Sequence, residues 1–202
     1  MATEILLIRH GETDSNAARI VQVPETPLSA RGRDQARRLA LRLASEGGIT
    51  RLVASDLARA HETATAIARA TGLPIELEPL LQERNFGTYR GTPYSELTVD
   101  LFAPDFLPPE GEDGSLFERR VDLAWARICE LADATPDRLA VVTHGLVCDE
   151  LARRHLERGE HTTPASWGNT CVTVVEGAPP WRVRRLACTA HLDDVTTGGG
   201  RA

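Results

Sequence analysis

Short apolar runs alternate with apolar stripes of helical period over most of this chain, and that alternation predicts its elements. Residues 5–8 form a continuous apolar run of strand length, the pattern of a strand buried on both faces. Residues 14–27 carry no period and read as a loop. After Ser29, the residues Ala36, Leu39, Ala40 and Leu43 recur at helical spacing with arginines opposite, and Gly47-Gly48 stops that helix. Residues 51–54 make a second strand. Ser55 or Asp56 is placed to cap the next helix, whose Ala60, Ala64, Ile67 and Ala68 share a face until Gly72 and Pro74 end it.

A brief third strand at 74–77 leads through Leu80-Leu81 into a charged corner, Gln82-Glu83-Arg84-Asn85, ahead of Phe86-Gly87. Residues 92–114 dissolve into prolines, aromatics and acids and read as a lid. Ser115 and Glu118 have capping-box spacing before a long helix with Phe117, Val121, Ala124, Ile128 and Leu131 on its buried face. Residues 138–143 form another buried strand, ending at His144-Gly145, which opens a helix to about Glu157. Runs at 170–175 and 182–187 predict a hairpin that closes the sheet with an antiparallel strand.

Strands and helices in this order imply a parallel sheet with right-handed crossovers. The expected fold class is therefore α/β, a three-layer sandwich with a mostly parallel central sheet and helices on both faces. A chain of 202 residues that is 42% hydrophobic can bury one sizeable core, so we read a single domain over 1–195 and a flexible, glycine-rich tail at 196–202.

Composition narrows the chemistry. All 23 basic residues are arginine, which removes Schiff-base lysine enzymes and the lysine-bearing P-loop. A net charge of -6 gives no basic footprint for nucleic acid, so an anionic ligand must be met by local arginines. The four cysteines, Cys129, Cys148, Cys171 and Cys188, are widely spaced and read as free thiols rather than bridges or a zinc site. No apolar run approaches 18 residues, and a cytoplasmic protein without a membrane partner is expected.

Two predicted strands end in histidine followed by glycine: Arg9-His10-Gly11 and Thr143-His144-Gly145. Ligands of α/β sheets bind beyond the carboxyl ends of the strands. If these strands are parallel neighbours, two imidazoles meet on one rim, and Arg59, in the first turn of a helix on the same edge, joins Arg9 there. Two guanidiniums and two imidazoles form a cradle for a dianionic tetrahedral group. A neutral His10 can act as nucleophile, with its other ring nitrogen held by a backbone carbonyl, and a cationic His144 adds charge stabilisation. A carboxyl kept protonated by burial can supply the leaving group's proton. Glu12 and Glu83 are rivals for that role, and Glu12 has the alternative of pairing with an arginine. His61, His155, His161 and His191 lack such a context, and Trp125 reads as packing.

Arg9-His10-Gly11-Glu12-Thr13 with Asn16, Ser55-Asp56-Leu57-Ala58-Arg59-Ala60 with Thr63-Ala64, Glu83 before Phe86-Gly87, and Thr143-His144-Gly145 together resemble the histidine phosphatase superfamily, also called phosphoglycerate mutase-like. The resemblance spans roughly residues 4–176 and keeps the family's motif order. It implies that His10 is the phosphorylated nucleophile, that Arg9, Arg59 and His144 hold the phosphoryl group, and that Glu83 is the proton donor. Asn16 is similar in position to a family phosphate contact; Gly11, Thr13, Gly145 and Arg84 complete the candidate binding set. No cofactor and no metal are expected. The expected partner is a small-molecule phosphate ester, with homodimerisation left open.

Mutases and phosphatases of this family differ in what covers the rim. Residues 92–114 hold six acids (Glu96, Asp100, Asp105, Glu110, Glu112 and Asp113) and no arginine, which disfavours a tight phosphoglycerate site. The tyrosine expected near Phe86 and a lid lysine are also missing. Arg84, Arg90, Arg119 and Arg120 remain candidates for a second anion, and Tyr94, Phe102, Phe106 and Leu107 for an apolar wall. The expected activity is that of a phosphomonoesterase, with a cofactor-dependent phosphoglycerate mutase as the alternative and a non-catalytic phospho-ligand-binding module as the reading from another class.

Overall fold

A computed structural model describes residues 2–103, 106–162, 164–177 and 179–193, without the side chain of Thr3. The tail expected at 196–202 lies outside the described residues. The strands are β1 (Ala2–Arg9), β2 (Ile49–Ala54), β3 (Ile75–Leu77), β4 (Asp137–Thr143), β5 (Val172–Glu176) and β6 (Arg182–Cys188), in one sheet of order β3-β2-β4-β1-β5-β6. The pairs β1·β4, β2·β4 and β2·β3 are parallel. Both β1·β5 and β5·β6 are antiparallel, so β5 is the one reversed strand and β6 runs in the direction of β1, as expected of the closing hairpin.

The helices are α1 (Asp14–Ala17), α2 (Ala30–Glu46), α3 (Ala58–Thr71), α4 (Gly114–Asp133) and α5 (Gly145–Arg154). Strand side chains alternate between the faces of a sheet. Thus Leu6 and Ile8 pack with Leu39, Leu43, Ala60, Ala64 and Ile67 of α2 and α3. Ile5 and Leu7 pack with Val121, Ala124, Ile128 and Leu151 of α4 and α5. Each fully buried aliphatic side chain of these layers contributes roughly 1.5–3 kcal/mol. The result is the expected three-layer α/β sandwich.

Local differences from the sequence reading have local causes. The loop at 14–27 contains α1, nucleated by a capping box in which Thr13 Oγ1 accepts from Asn16 N and Asn16 Oδ1 accepts from Thr13 N. Helix α4 begins ahead of Ser115: Asp113 is its cap, accepting at Oδ1 from Leu116 N and from the Ser115 hydroxyl. Neither Ser55 nor Asp56 caps α3, whose N-cap is Leu57 without a side-chain bond. Asp56 instead accepts from Gln82 Nε2 at 2.8 and 2.9 Å. Helix α5 stops at Arg154, short of Glu157, whose N–H is drawn to the Trp181 carbonyl.

Candidate active site

The register of β1 and β4 pairs Arg9 with Thr143, and the ladder continues one step further through His10 N to Thr143 O at 2.9 Å. Both imidazoles therefore leave adjacent strands at the same level, with ring centroids 5.1 Å apart and planes tilted by 57°. His10 Nδ1 lies 2.7 Å from the Gly11 carbonyl, which has no proton to give, so Nδ1 carries the hydrogen and Nε2 holds the free lone pair. Burial, with Arg59 and Arg9 adding to it, holds the His10 pKa well below the usual 6.5. The imidazole is neutral and nucleophilic at neutral pH.

His144 is the N-cap residue of α5 and is fully buried. Its Nε2 lies 2.9 Å from Ser55 Oγ, which already accepts from Leu57 N at 3.3 Å. The Ser55 hydroxyl hydrogen is thus free to donate to Nε2, an assignment that places the imidazole proton on Nδ1. Burial, then Arg59, His10 and Arg9, hold the pKa of this ring well below the usual 6.5. The cationic His144 expected from the sequence is not its resting state; the countercharge of a bound dianion is what would raise its pKa.

Arg59 is almost wholly buried, with Nη1 donating to the Val23 carbonyl at 3.2 Å. Burial draws its pKa to about 10, against the pull of Glu83 and with Arg9 and Arg90 assisting, so it stays charged. Arg9 donates through Nη1 to the Trp167 carbonyl. Gly145, which opens α5, lies directly against this guanidinium: a Cβ there would sit 3.4 Å from Arg9 Nε, at van der Waals contact. Among the described residues, Arg9 Nε, Arg59 Nε and His144 Nδ1 are buried atoms without any hydrogen-bond partner. Three such orphans in one cluster point to a missing acceptor.

Glu83 follows a turn held from two sides. Thr143 Oγ1 donates to Leu81 O at 2.8 Å, and Arg120, paired with Glu112 at 2.7 Å, donates to the carbonyls of Leu80, Gln82 and Glu83. The carboxylate accepts from Arg84 N at 3.1 Å and Leu146 N at 3.2 Å. Burial nevertheless raises its pKa, opposed by Arg59, those two N–H groups and Arg9. A proton is therefore retained here at a higher pH than on an ordinary glutamate.

Arg9, Arg59, Glu83, Asn16 and Gly145 line a cleft of about 430 Å³, together with Arg19, Arg84, Arg90, Tyr94, Phe102 and Trp167. His10 and His144 do not line its open part; they are buried under its floor. Two expected binding residues are not brought to the cleft. Thr13 is fully buried, spent on capping α1 and on donating to Gln22 Oε1 at 2.9 Å. Gly11 donates its N–H to Thr63 Oγ1 at 3.0 Å, and a Cβ on it would lie 2.7 Å from the Gly32 carbonyl. Its missing side chain admits α2, not a ligand. Arg84 lines the cleft, but its three nitrogens donate to the lid carbonyls of Glu112, Leu101 and Phe106. Glu12 faces α2, accepting from the Ser29 hydroxyl at 3.1 Å and pairing with Arg31.

The sequence reading passed over Asn169. Its Nδ2 lies 3.2 Å from the His10 carbonyl and 3.3 Å from Asn16 Oδ1. Asn16 Oδ1 thus accepts from two donors, Thr13 N being the other, which fixes the amide with its own NH₂ available as a donor. Nothing in the sequence marked Asn169, because it precedes β5 in an irregular stretch.

A strand-end pair of imidazoles under a cleft of buried guanidiniums, with a raised-pKa carboxyl beside them, defines a phosphoryl-transfer class of site. The family model described as Histidine phosphatase superfamily (branch 1) matches residues 5–188, and the chain belongs to that superfamily. It is 33% identical to the protein named "Probable phosphoglycerate mutase GpmB" of Escherichia fergusonii over 193 residues, covering 91% of this chain and 79% of that one. Among solved structures it is similar to the alpha-ribazole phosphatase of Shigella flexneri, with TM-score 0.76 and 25% identity over 92% of this chain and 96% of that one. A mycobacterial glucosyl-3-phosphoglycerate phosphatase gives TM-score 0.74 and 25% identity over 91% and 98%.

Proposed function

We propose that the protein hydrolyses a small-molecule phosphate monoester through a phosphohistidine on His10. The observation that carries this reading is the set of three buried, unpartnered polar atoms, Arg9 Nε, Arg59 Nε and His144 Nδ1, on residues whose charge or ring bears on His10. In the first step His10 Nε2 forms a bond to phosphorus and the ester P–O bond breaks, the leaving oxygen taking the Glu83 proton. In the second, water attacks phosphorus, the P–N bond breaks, and the Glu83 carboxylate takes the water's proton. Phosphoryl transfer needs little beyond positioning and charge stabilisation, which Arg9, Arg59, His144 and the Asn16 amide supply. All the charge in this scheme comes from side chains, so activity should survive a chelator and be blocked by vanadate. Among the described residues no group of three His, Cys, Asp or Glu side chains is placed to hold a metal ion.

A mutase reading is favoured by the name of the Escherichia fergusonii relative and by Arg19 and Arg90, which bring positive charge to the cleft from outside the acidic lid. That placement removes the charge argument against a second anion. Hydrolysis is supported by the similar solved structures named as an alpha-ribazole phosphatase and a glucosyl-3-phosphoglycerate phosphatase. The deciding experiment supplies purified protein with 3-phosphoglycerate and a 2,3-bisphosphoglycerate primer. Release of inorganic phosphate faster than isomer exchange supports the hydrolase; faster exchange overturns it. The fold includes no helix, among the described residues, long and apolar enough to cross a membrane, in keeping with a proposed cytoplasmic role.

A further inference from the structure

Arginines in this chain are mostly committed. Arg120 and Arg138 are held in ion pairs, and Arg84 spends its guanidinium on lid carbonyls. Arg19 and Arg90 differ: both line the cleft, and neither side chain forms an ion pair or hydrogen bond among the described residues. They are also placed by a built element. Gly91 N donates to Val21 O at 2.7 Å, Val21 N to Thr92 O at 3.0 Å, and Tyr94 N to Arg19 O at 2.8 Å, around an antiparallel bridge of Ile20 with Pro93. Each arginine thus sits on one of two cross-linked segments that form a wall of the cleft. Arg19 lies against the Tyr94 ring, 6.0 Å from its centroid, in a left-handed backbone conformation that this pairing holds in place.

Arg90 is half-buried, and burial lowers its pKa against the opposing fields of Glu25 and Glu112. Those two carboxylates face it without forming an ion pair. A guanidinium kept partly out of water with no hydrogen-bonded partner is a poor structural investment unless an anion completes it. Arg90 is also near enough to act on Arg59, so the second charge stands beside the phosphoryl cradle rather than across the molecule.

We infer that Arg19 and Arg90 form a second anion subsite, and that the preferred ester carries another anionic oxyacid group, carboxylate or phosphoryl, besides the scissile phosphate. The inference rests on the phosphomonoester reading of this cleft. It is tested by measuring kcat/KM for phosphate release from glycerol 3-phosphate, 3-phosphoglycerate and fructose 1,6-bisphosphate with wild type and with the double variant Arg19→Gln, Arg90→Gln. At least one doubly anionic ester should exceed glycerol 3-phosphate by about 10-fold or more, the size expected of charge-assisted hydrogen bonds, and the ratio should fall to about 1 in the double variant. The ester that benefits tells carboxylate from phosphoryl. Equal values in wild type, or a ratio that survives the double variant, overturn the subsite.

Calorimetric binding of the same three esters to His10→Gln protein separates this inference from the catalytic one. A charge preference in binding without turnover in wild type would leave the subsite standing and remove the hydrolase. Turnover without a charge preference would do the reverse.

Discussion

Asn169 Nδ2 lies 3.3 Å from Asn16 Oδ1 and 3.2 Å from the main-chain carbonyl of His10, so one amide ties the His10 backbone to the orientation of a cleft side chain. The tie crosses more than 150 residues of chain and joins the segment before β5 to the end of β1. Asn169→Ala removes both bonds and leaves Asn16 Oδ1 held by Thr13 N alone of its two donors. We expect kcat to fall about 10-fold with a smaller change in KM, since a loosened donor gives up only part of the roughly 1.5–3 kcal/mol that a charge-assisted hydrogen bond is worth. Steady-state kinetics of Asn169→Ala beside Asn16→Ala check this. Additive losses in the double variant would show that the two amides act independently.

Glu83 sets the pH profile. Its pKa is raised by burial, while that of His10 is lowered by burial, Arg59 and Arg9. The active form is protonated Glu83 with neutral His10, so the raised Glu83 value sets its alkaline limit and the lowered His10 value its acid limit. The rate kcat/KM should fall as pH rises through the Glu83 value and hold well below pH 6.5 on the acid side. Glu83→Gln should lose about 10²–10⁴ in rate and lose the alkaline limb with it. A variant that keeps the wild-type alkaline limb would assign that limb to another group.

Gly32 is a hidden determinant of the same loop. A Cβ there would lie 1.9 Å from the Glu12 carbonyl, a clash between backbones that no rotamer relieves. Gly32→Ala should cost about 1–3 kcal/mol of stability through overpacking and displace the turn that carries His10. Denaturant midpoints and activity measured on the same preparation check it, with Gly47→Ala as a comparison: its Cβ meets nothing within 4 Å, but its φ of 68° alone carries a strain cost.

Stability should fall on acidification in a way the buried imidazoles dominate. For His10 and His144 the folded pKa lies well below the unfolded value near 6.5, so each contributes stability that is full above pH 6.5 and is lost as pH falls toward the folded value. The slope per histidine is at most about 1.4 kcal/mol per pH unit. Glu83 acts in the opposite sense, because its raised pKa gives stability that is lost as pH rises. With His191, whose pKa burial draws down to about 4, three histidines stand against one glutamate and leave a net loss between pH 6.5 and 5.5. Urea midpoints at those two pH values should separate in wild type and draw closer in His144→Gln.

The sheet and its layers were legible because strands buried on both faces write continuous apolar runs and covering helices write stripes, as residues 5–8 and the face of Ala36, Leu39, Ala40 and Leu43 do. The pairing of His10 with His144 was legible only on the condition that their strands are parallel neighbours, which the adjacency of β4 and β1 in the sheet supplies. Local chemistry was less legible. Thr13 and Gly11 lie inside the motif but serve α1 and α2, because a motif records which residues a turn needs and not which way they face. Arg90 was named only as one candidate among several, and Arg19 not at all. Their separation from Arg84 and Arg120 depends on which carbonyls and carboxylates the lid offers, a tertiary matter.

The most direct test is the chemical state of His10 during turnover. Wild-type protein mixed with a phosphomonoester, quenched in alkali within the first turnovers and digested should yield a peptide carrying one acid-labile phosphoryl group on His10, and His10→Ala should yield neither the label nor phosphate release. Turnover in wild type without that label, or release persisting at wild-type rate in His10→Ala, would contradict the account.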